Sequence, residues 1–180
     1  HPPGGKRRRT CRAQSRLGIA LQAADHWRGQ SALSLQLTAG RLDIHDRDEQ
    51  RLDAVSVGSE GGFSKLTLGG ERWQQLPGVF HLRASASLQW ALDNLTSAQK
   101  LAIGGPAGVR AYPTGEAQGD EGRLVSLELH RTLPLAPRWR PSAILFADYG
   151  RVRFNHRTWT GFAGDSTREL AAAGLGLDWR

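Results

Sequence analysis

The sequence predicts an all-β chain, and within that class a transmembrane antiparallel β-barrel. Apolar and polar residues alternate with period two in segment after segment, the segments outlast ordinary strands, and the connections between them are alternately short and long. Successive strand side chains point to opposite faces, so alternation of this kind gives each strand one apolar and one polar face.

Taken in order, segment 15–26 sets Leu17, Ile19, Leu21 and Ala23 against Arg16, Gly18, Ala20 and Gln22. Segment 31–41 sets Leu33, Leu35, Leu37 and Ala39 against Ser34, Gln36 and Thr38. Segment 62–73 alternates less cleanly. In segment 80–92, Phe80, Leu82, Ala84, Ala86, Leu88, Trp90 and Leu92 oppose His81, Arg83, Ser85, Ser87, Gln89 and Ala91. Segment 124–133 places Val125, Leu127, Leu129 and Leu133 against Ser126, Glu128 and His130. Segment 141–150 is again less regular, and 168–180 closes the series with Ala171, Ala173, Leu175, Leu177 and Trp179 on one face. Leu82, Leu88, Leu127 and Leu129 are expected to face lipid, and Arg83, Gln89, Glu128 and His130 the lumen. That makes about seven strands, mostly about 10–13 residues long. Soluble strands average about 5–6 residues, whereas a tilted membrane-spanning strand needs about 9–11.

Connections 27–30, 74–79 and 134–140 are short, and 43–61, 93–121 and 151–167 are long. Outer-membrane barrels have short turns on one side and long loops on the other. Trp27, Trp73, Trp139 and Trp179 fall at strand ends on the short-turn side, and Trp90, Tyr149 and Trp159 on the long-loop side. Two aromatic girdles are what a barrel shows at its two interfaces.

Composition removes other classes. Of 180 residues, 39% are hydrophobic and 23% charged, too apolar a mix for a disordered chain. Cys11 is the only cysteine, which excludes an internal disulfide framework and a cysteine zinc site. No apolar run approaches the ~18 residues of a membrane helix, and no signal-peptide core is present. The chain begins with His and has no Met, so it is expected to be part of a longer product. The net charge of +7 is densest at Lys6-Arg7-Arg8-Arg9, with Arg12 and Arg16 behind. Such an arm can neutralise phosphates. No nucleic-acid motif follows it, and residues 1–14 are expected to be a basic, poorly ordered segment. Residues 15–180 are the expected barrel domain.

Residues that could carry chemistry are few. Asp43, His45, Asp46, Asp48 and Glu49 cluster in one connection, but without calcium-loop spacing they read as a solvated outer loop. His81 and His130 read as lumenal polar residues. No nucleophile elbow, nucleotide-binding or zinc-protease motif is present, and the glycines of 104–108 follow no parallel-sheet strand. The expectation is no enzyme activity, no metal, no cofactor and no bound nucleotide or nucleic acid.

Stretch 100–122 is the informative one. It contains Gly104-Gly105-Pro106 followed by Val109-Arg110-Ala111-Tyr112. It resembles the inward-folding loop of the outer-membrane transporters of two-partner secretion, the haemolysin-activator family within the Omp85 superfamily. Ala111 stands where that family commonly has Gly. A second motif of the family, Phe-x-Asp-x-Gly on a later strand, is matched by Phe146, Asp148 and Gly150. Gly40 to Asp43, Phe63 to Leu66 and Gly150 to Val152 add weaker likeness in the same order. The resemblance implies a partial barrel, roughly seven of about 16 strands, in the bacterial outer membrane, with periplasmic domains before it and closing strands after it. It further implies that Arg110 pairs with Asp148, that loop 93–121 lies in the lumen, and that a large secreted exoprotein is the partner besides outer-membrane lipid. Two alternatives stay open at this point: an Omp85-type barrel that inserts outer-membrane proteins, and a soluble basic β-protein that binds nucleic acid.

Overall fold

The computed structural model describes residues 9–133 and 141–178, with side chains from Gln14 onward. Its elements are β1 (Arg9–Ala24), β2 (Gly29–Ile44), α1 (Arg47–Ala54), β3 (Gly61–Gln75), β4 (Phe80–Ala91), β5 (Leu101–Ala102), β6 (Gln118–Gly119), β7 (Glu121–Thr132), β8 (Ser142–Arg153) and β9 (Thr167–Asp178). Seven strands form one sheet in the order β1-β2-β3-β4-β7-β8-β9, and every neighbouring pair is antiparallel. β5 and β6 make a separate two-stranded piece inside the longest connection. The three first strands are 15 or 16 residues long, beyond the expected range, because each keeps pairing past its alternating stretch.

The two faces differ in kind. On one stand Leu17, Ile19, Leu21, Leu33, Leu35, Leu37, Leu68, Trp90, Val125, Leu127, Leu145, Leu175 and Leu177, all exposed. Register carries this face across the sheet, with Leu17 opposite Leu37, Leu35 opposite Leu68, Leu68 opposite Leu88 and Leu129 opposite Leu145. Charges on the same face lie near strand ends: Arg41, Arg72, Arg123, Arg131, Arg151 and Glu169. The result is an apolar band between two charged rims. Left in water, each large apolar side chain forgoes roughly 1.5–3 kcal/mol of burial; hydrocarbon removes that penalty. The other, inner face carries the polar set and is crossed by the connection 92–120.

Two short connections are described. Between β1 and β2, Asp25 Oδ1 accepts from the backbone N–H of Trp27 (3.0 Å) and Gly29 (2.9 Å). Its other oxygen meets the Arg72 guanidinium at 2.6 Å, which with the Gly29 N–H holds the Asp25 carboxyl below its ordinary value. Between β3 and β4, Gly78 takes a left-handed φ of 77°.

Several expectations need correcting. β1 begins at Arg9, so residues 9–14 are strand rather than poorly ordered chain; the far end of β2, out to Ile44, gives them a hydrogen-bonding edge. Residues 1–8, the turn 134–140, Trp139 and Trp179 lie outside the described residues. Trp73 sits at the expected strand end but belongs to the inner face. Its ring lies 5.4 Å from His130 and its indole N–H donates to Glu71, so it takes no part in an outward girdle. The acidic connection after β2, expected as a solvated loop, contains a helix, α1. Asp46 caps it by accepting from the N–H groups of Asp48 (2.9 Å) and Glu49 (3.1 Å).

Leu35 and Ser34 are adjacent but face opposite ways. In the intact protein, Leu35→Arg should impair insertion into lipid bilayers by roughly 2–4 kcal/mol, and Ser34→Arg should leave it nearly unchanged. Equal insertion of the two variants, measured by folding into vesicles, would refute the assignment of faces.

Candidate functional site

Connection 92–120 folds back over the inner face of β7, β8 and β9. Its arms pair as β5 and β6, and Ile103 N–H donates to Ala117 O at 3.0 Å. Beyond them the chain closes a compact turn. Val109 N–H donates to Ile103 O (2.7 Å), Gly105 N–H to Tyr112 O (2.9 Å) and Gly108 N–H to Gly105 O (2.9 Å), and Gly104 bridges Val109. Gly105 has φ 96°, a region that L side chains rarely adopt, and a Cβ there would also meet Thr114. Pro106 and Ala111 stay exposed.

The turn is fastened by an apolar contact. Ile103, Val109 and Ala117 are buried together with Val152 of β8 and Leu170 of β9, and Tyr112, Leu124 and Phe154 pack around them. Gly150 makes the approach possible: a Cβ at that position would lie 3.0 Å from Ile103 Cβ and 3.3 Å from Val109 Cγ2.

Fixing Val109 aims Arg110 at the wall. Arg110 Nε donates to Asp148 Oδ2 (2.8 Å) and Nη2 to Asp148 Oδ1 (2.7 Å), a two-pronged pair that the planar guanidinium suits. The Arg110 backbone N–H adds a bond to Oδ2 at 3.2 Å. Nη1 donates to Glu128 Oε1 (2.7 Å), Nη2 also reaches Ser126 Oγ (3.1 Å), and the Ser126 hydroxyl donates to Asp148 Oδ1 (2.7 Å). The guanidinium carbon lies 3.8 Å from the centre of the Phe146 ring. The Asp148 side chain is fully buried and that of Arg110 a quarter exposed. The hydrogen bonds that Arg110 donates to Asp148 raise its pKa above the ordinary value.

The network continues along the inner face. Glu128 Oε2 meets His130 Nε2 at 2.8 Å and Arg83 Nη1 at 3.6 Å, and Arg83 in turn binds Glu71 at 3.0 Å. Acidic and basic groups therefore alternate across β3, β4, β7, the loop and β8.

A second cluster holds the base of the loop. The fully buried Asp120 accepts from the N–H groups of Leu95 (3.2 Å) and His156 (2.9 Å) and pairs with Lys100 (2.9 Å). Lys100 also donates to Phe154 O and to Asn155 Oδ1. Asn94 bonds to Val57 O and, on both sides of its amide, to the Arg157 backbone. These contacts tie the three long connections together.

All ten residues singled out in the two motifs are thus in or against one turn, with Gly104, Gly105, Val109, Arg110 and Tyr112 shaping it and Phe146, Asp148 and Gly150 receiving it. Sequence reasoning placed Glu128 in the lumen without assigning it to Arg110, and did not find Ser126, Ile103, Lys100 or Asp120. Glu128 and Ser126 had a usable signal, since they share the polar phase of 124–133. Lys100 and Asp120 had none, because they meet across the irregular connection that carries both, and their further partners Phe154, Asn155 and His156 come from another. Among the described residues, no group of three or more His, Cys, Asp or Glu is placed to hold a metal.

Gly150→Val should unseat the turn, since overpacking typically costs about 1–3 kcal/mol. The check is the thiol reactivity of Val109→Cys in a Cys11→Ser background of the intact protein, which should rise with Gly150→Val. Unchanged reactivity would mean that the wall yields instead.

The model of the haemolysin secretion/activation protein family ShlB/FhaC/HecB matches residues 10–179. The heme/hemopexin transporter protein HuxB of Haemophilus influenzae Rd is 29% identical over 126 residues, which is 70% of this chain and 22% of that protein. Another Haemophilus influenzae HuxB is 38% identical over 81 residues, 45% of this chain and 14% of that protein. Among solved structures, CdiB from Escherichia coli superposes with a TM-score of 0.70 at 19% identity, covering 92% of this chain and 30% of that one. That likeness is one of fold, and it makes the open sheet a segment of a transmembrane β-barrel. The chain spans 22% of the length of the first of these relatives, a part and not the whole. With its match running from β1 to the end of β9, the chain belongs to the ShlB/FhaC/HecB family of haemolysin secretion/activation proteins, transporters of the Gram-negative outer membrane.

Proposed function

We propose that the intact protein translocates a large secreted exoprotein, of haemolysin or adhesin type, across the outer membrane in two-partner secretion, and that the seated loop is the element that rearranges as the exoprotein passes. The observation that carries this is the position of Arg110. It is held by Asp148 and Glu128 on the inner face of a sheet whose outer face is an apolar band. Both carboxylates are buried, but Arg110 stays a quarter exposed, which gives water and other charges a route to replace its partners; a pair with both members buried would resist opening. The exposed leucines suit lipid and not a soluble nucleic-acid-binding surface. The reading assigns the chain passive passage with no catalytic step, nucleotide or cofactor.

Replacing Arg110 by Ala leaves the buried Asp148 with Ser126 as its remaining side-chain partner in this network, at a cost of about 3 kcal/mol to the seat. Arg110→Ala and Asp148→Ala should each lower export of the exoprotein while barrel levels in the outer membrane hold. The double variant should be no worse than the worse single one, since the two act through one bond pair. Lys at 110 should substitute poorly, having no fork. Normal export by Arg110→Ala at normal barrel levels would sink the proposal.

Orientation gives a second test. In whole cells, cysteine at Thr160 should react with an impermeant thiol reagent and cysteine at Gln30 should not. The reverse pattern would invert the topology.

A further inference from the structure

Glu128 and Asp148 both hold Arg110, but they are not equivalent. Asp148 receives Arg110 and the Ser126 hydroxyl. Glu128 is approached by three basic groups: Arg110 on Oε1 at 2.7 Å, and His130 and Arg83 on Oε2 at 2.8 and 3.6 Å. Arg83 divides its fork. Its Nε and Nη2 bind Glu71 at 3.2 and 3.0 Å, and its Nη1 points to Glu128. It can therefore tighten on Glu128 without releasing Glu71, which the Trp73 indole also holds. The Trp73 ring, 5.4 Å away, backs the guanidinium.

We propose that Arg83 is a positioning residue for the loop. It takes over the charge of Glu128 when Arg110 withdraws, so that Asp148 is the one carboxylate left without a guanidinium. This rests on the reading that the loop is released during passage. Without Arg83, Arg110 is the one guanidinium left on Glu128, and the seated state gains. With Arg83 in place the seat is weaker and release easier. Lys at position 83 supplies charge but one point of contact, so it serves Glu71 or Glu128 and not both.

The test uses the intact protein with Val109→Cys in a Cys11→Ser background, read by reactivity with a small thiol reagent, alongside exoprotein export. Arg83→Gln should lower reactivity about fivefold, an interaction of the size neighbouring charged residues show, and should lower export with it. Arg83→Lys should fall between. In a Glu128→Gln background, Arg83→Gln should have no further effect, because nothing remains to be taken over. A rise or no change in reactivity with Arg83→Gln overturns the proposal, as does a fall that persists in the Glu128→Gln background, which would mark Arg83 as a mere brace of the wall. Asp148→Ala separates the two levels. If it fails to raise reactivity, the release reading itself is wrong. If it raises reactivity while Arg83→Gln changes nothing, the role of Arg83 alone is refuted.

Discussion

Across β4, β7 and β8 the antiparallel register sets Arg83 opposite Glu128, Ser126 opposite Asp148 and Leu124 opposite Gly150. The site that receives Arg110 follows from that alignment. A slip of one residue would turn each of these side chains outward and bring the leucines inside. The apolar band fixes the register, because moving the leucines of seven strands off the lipid face costs more than any inner-face contact returns. Lipid thus dictates the outer face, and the outer face dictates which polar groups can meet inside.

On this platform the loop is held by three kinds of force at three places. At its base, Asp120 and Lys100 satisfy backbone groups of their own connection and of the one after β8 in a buried cluster. Along its arms, Ile103 and Val109 fill the space that Gly150 leaves open. Towards its tip, Arg110 meets Asp148 and Glu128 in a partly wetted network. Buried polar clusters are costly to open, since each freed group loses its partner without gaining water. The quarter-exposed Arg110 leaves water a route to its two ion pairs, whose carboxylates are buried. At the tip the mixed-charge wall offers Glu128 other basic partners, Arg83 and His130.

The sequence by itself determined the strands, their faces and the membrane setting, because period two and strand length are local properties and the solvent acts on each residue separately. It also supplied the paired motifs around Arg110 and Asp148, which resemblance tied together across 38 residues. It failed at α1, where a capping Asp46 and a short helix carry no period of two, and at Trp73, whose place near a strand end did not tell its face. Tertiary structure alone decided the rest. That Glu128 is shared by Arg110, Arg83 and His130, and that Lys100 finds Asp120 and the residues after β8, depends on which strands and loops become neighbours. Ion pairs and hydrogen bonds act over a few ångströms in space, and separation along the chain does not encode that distance.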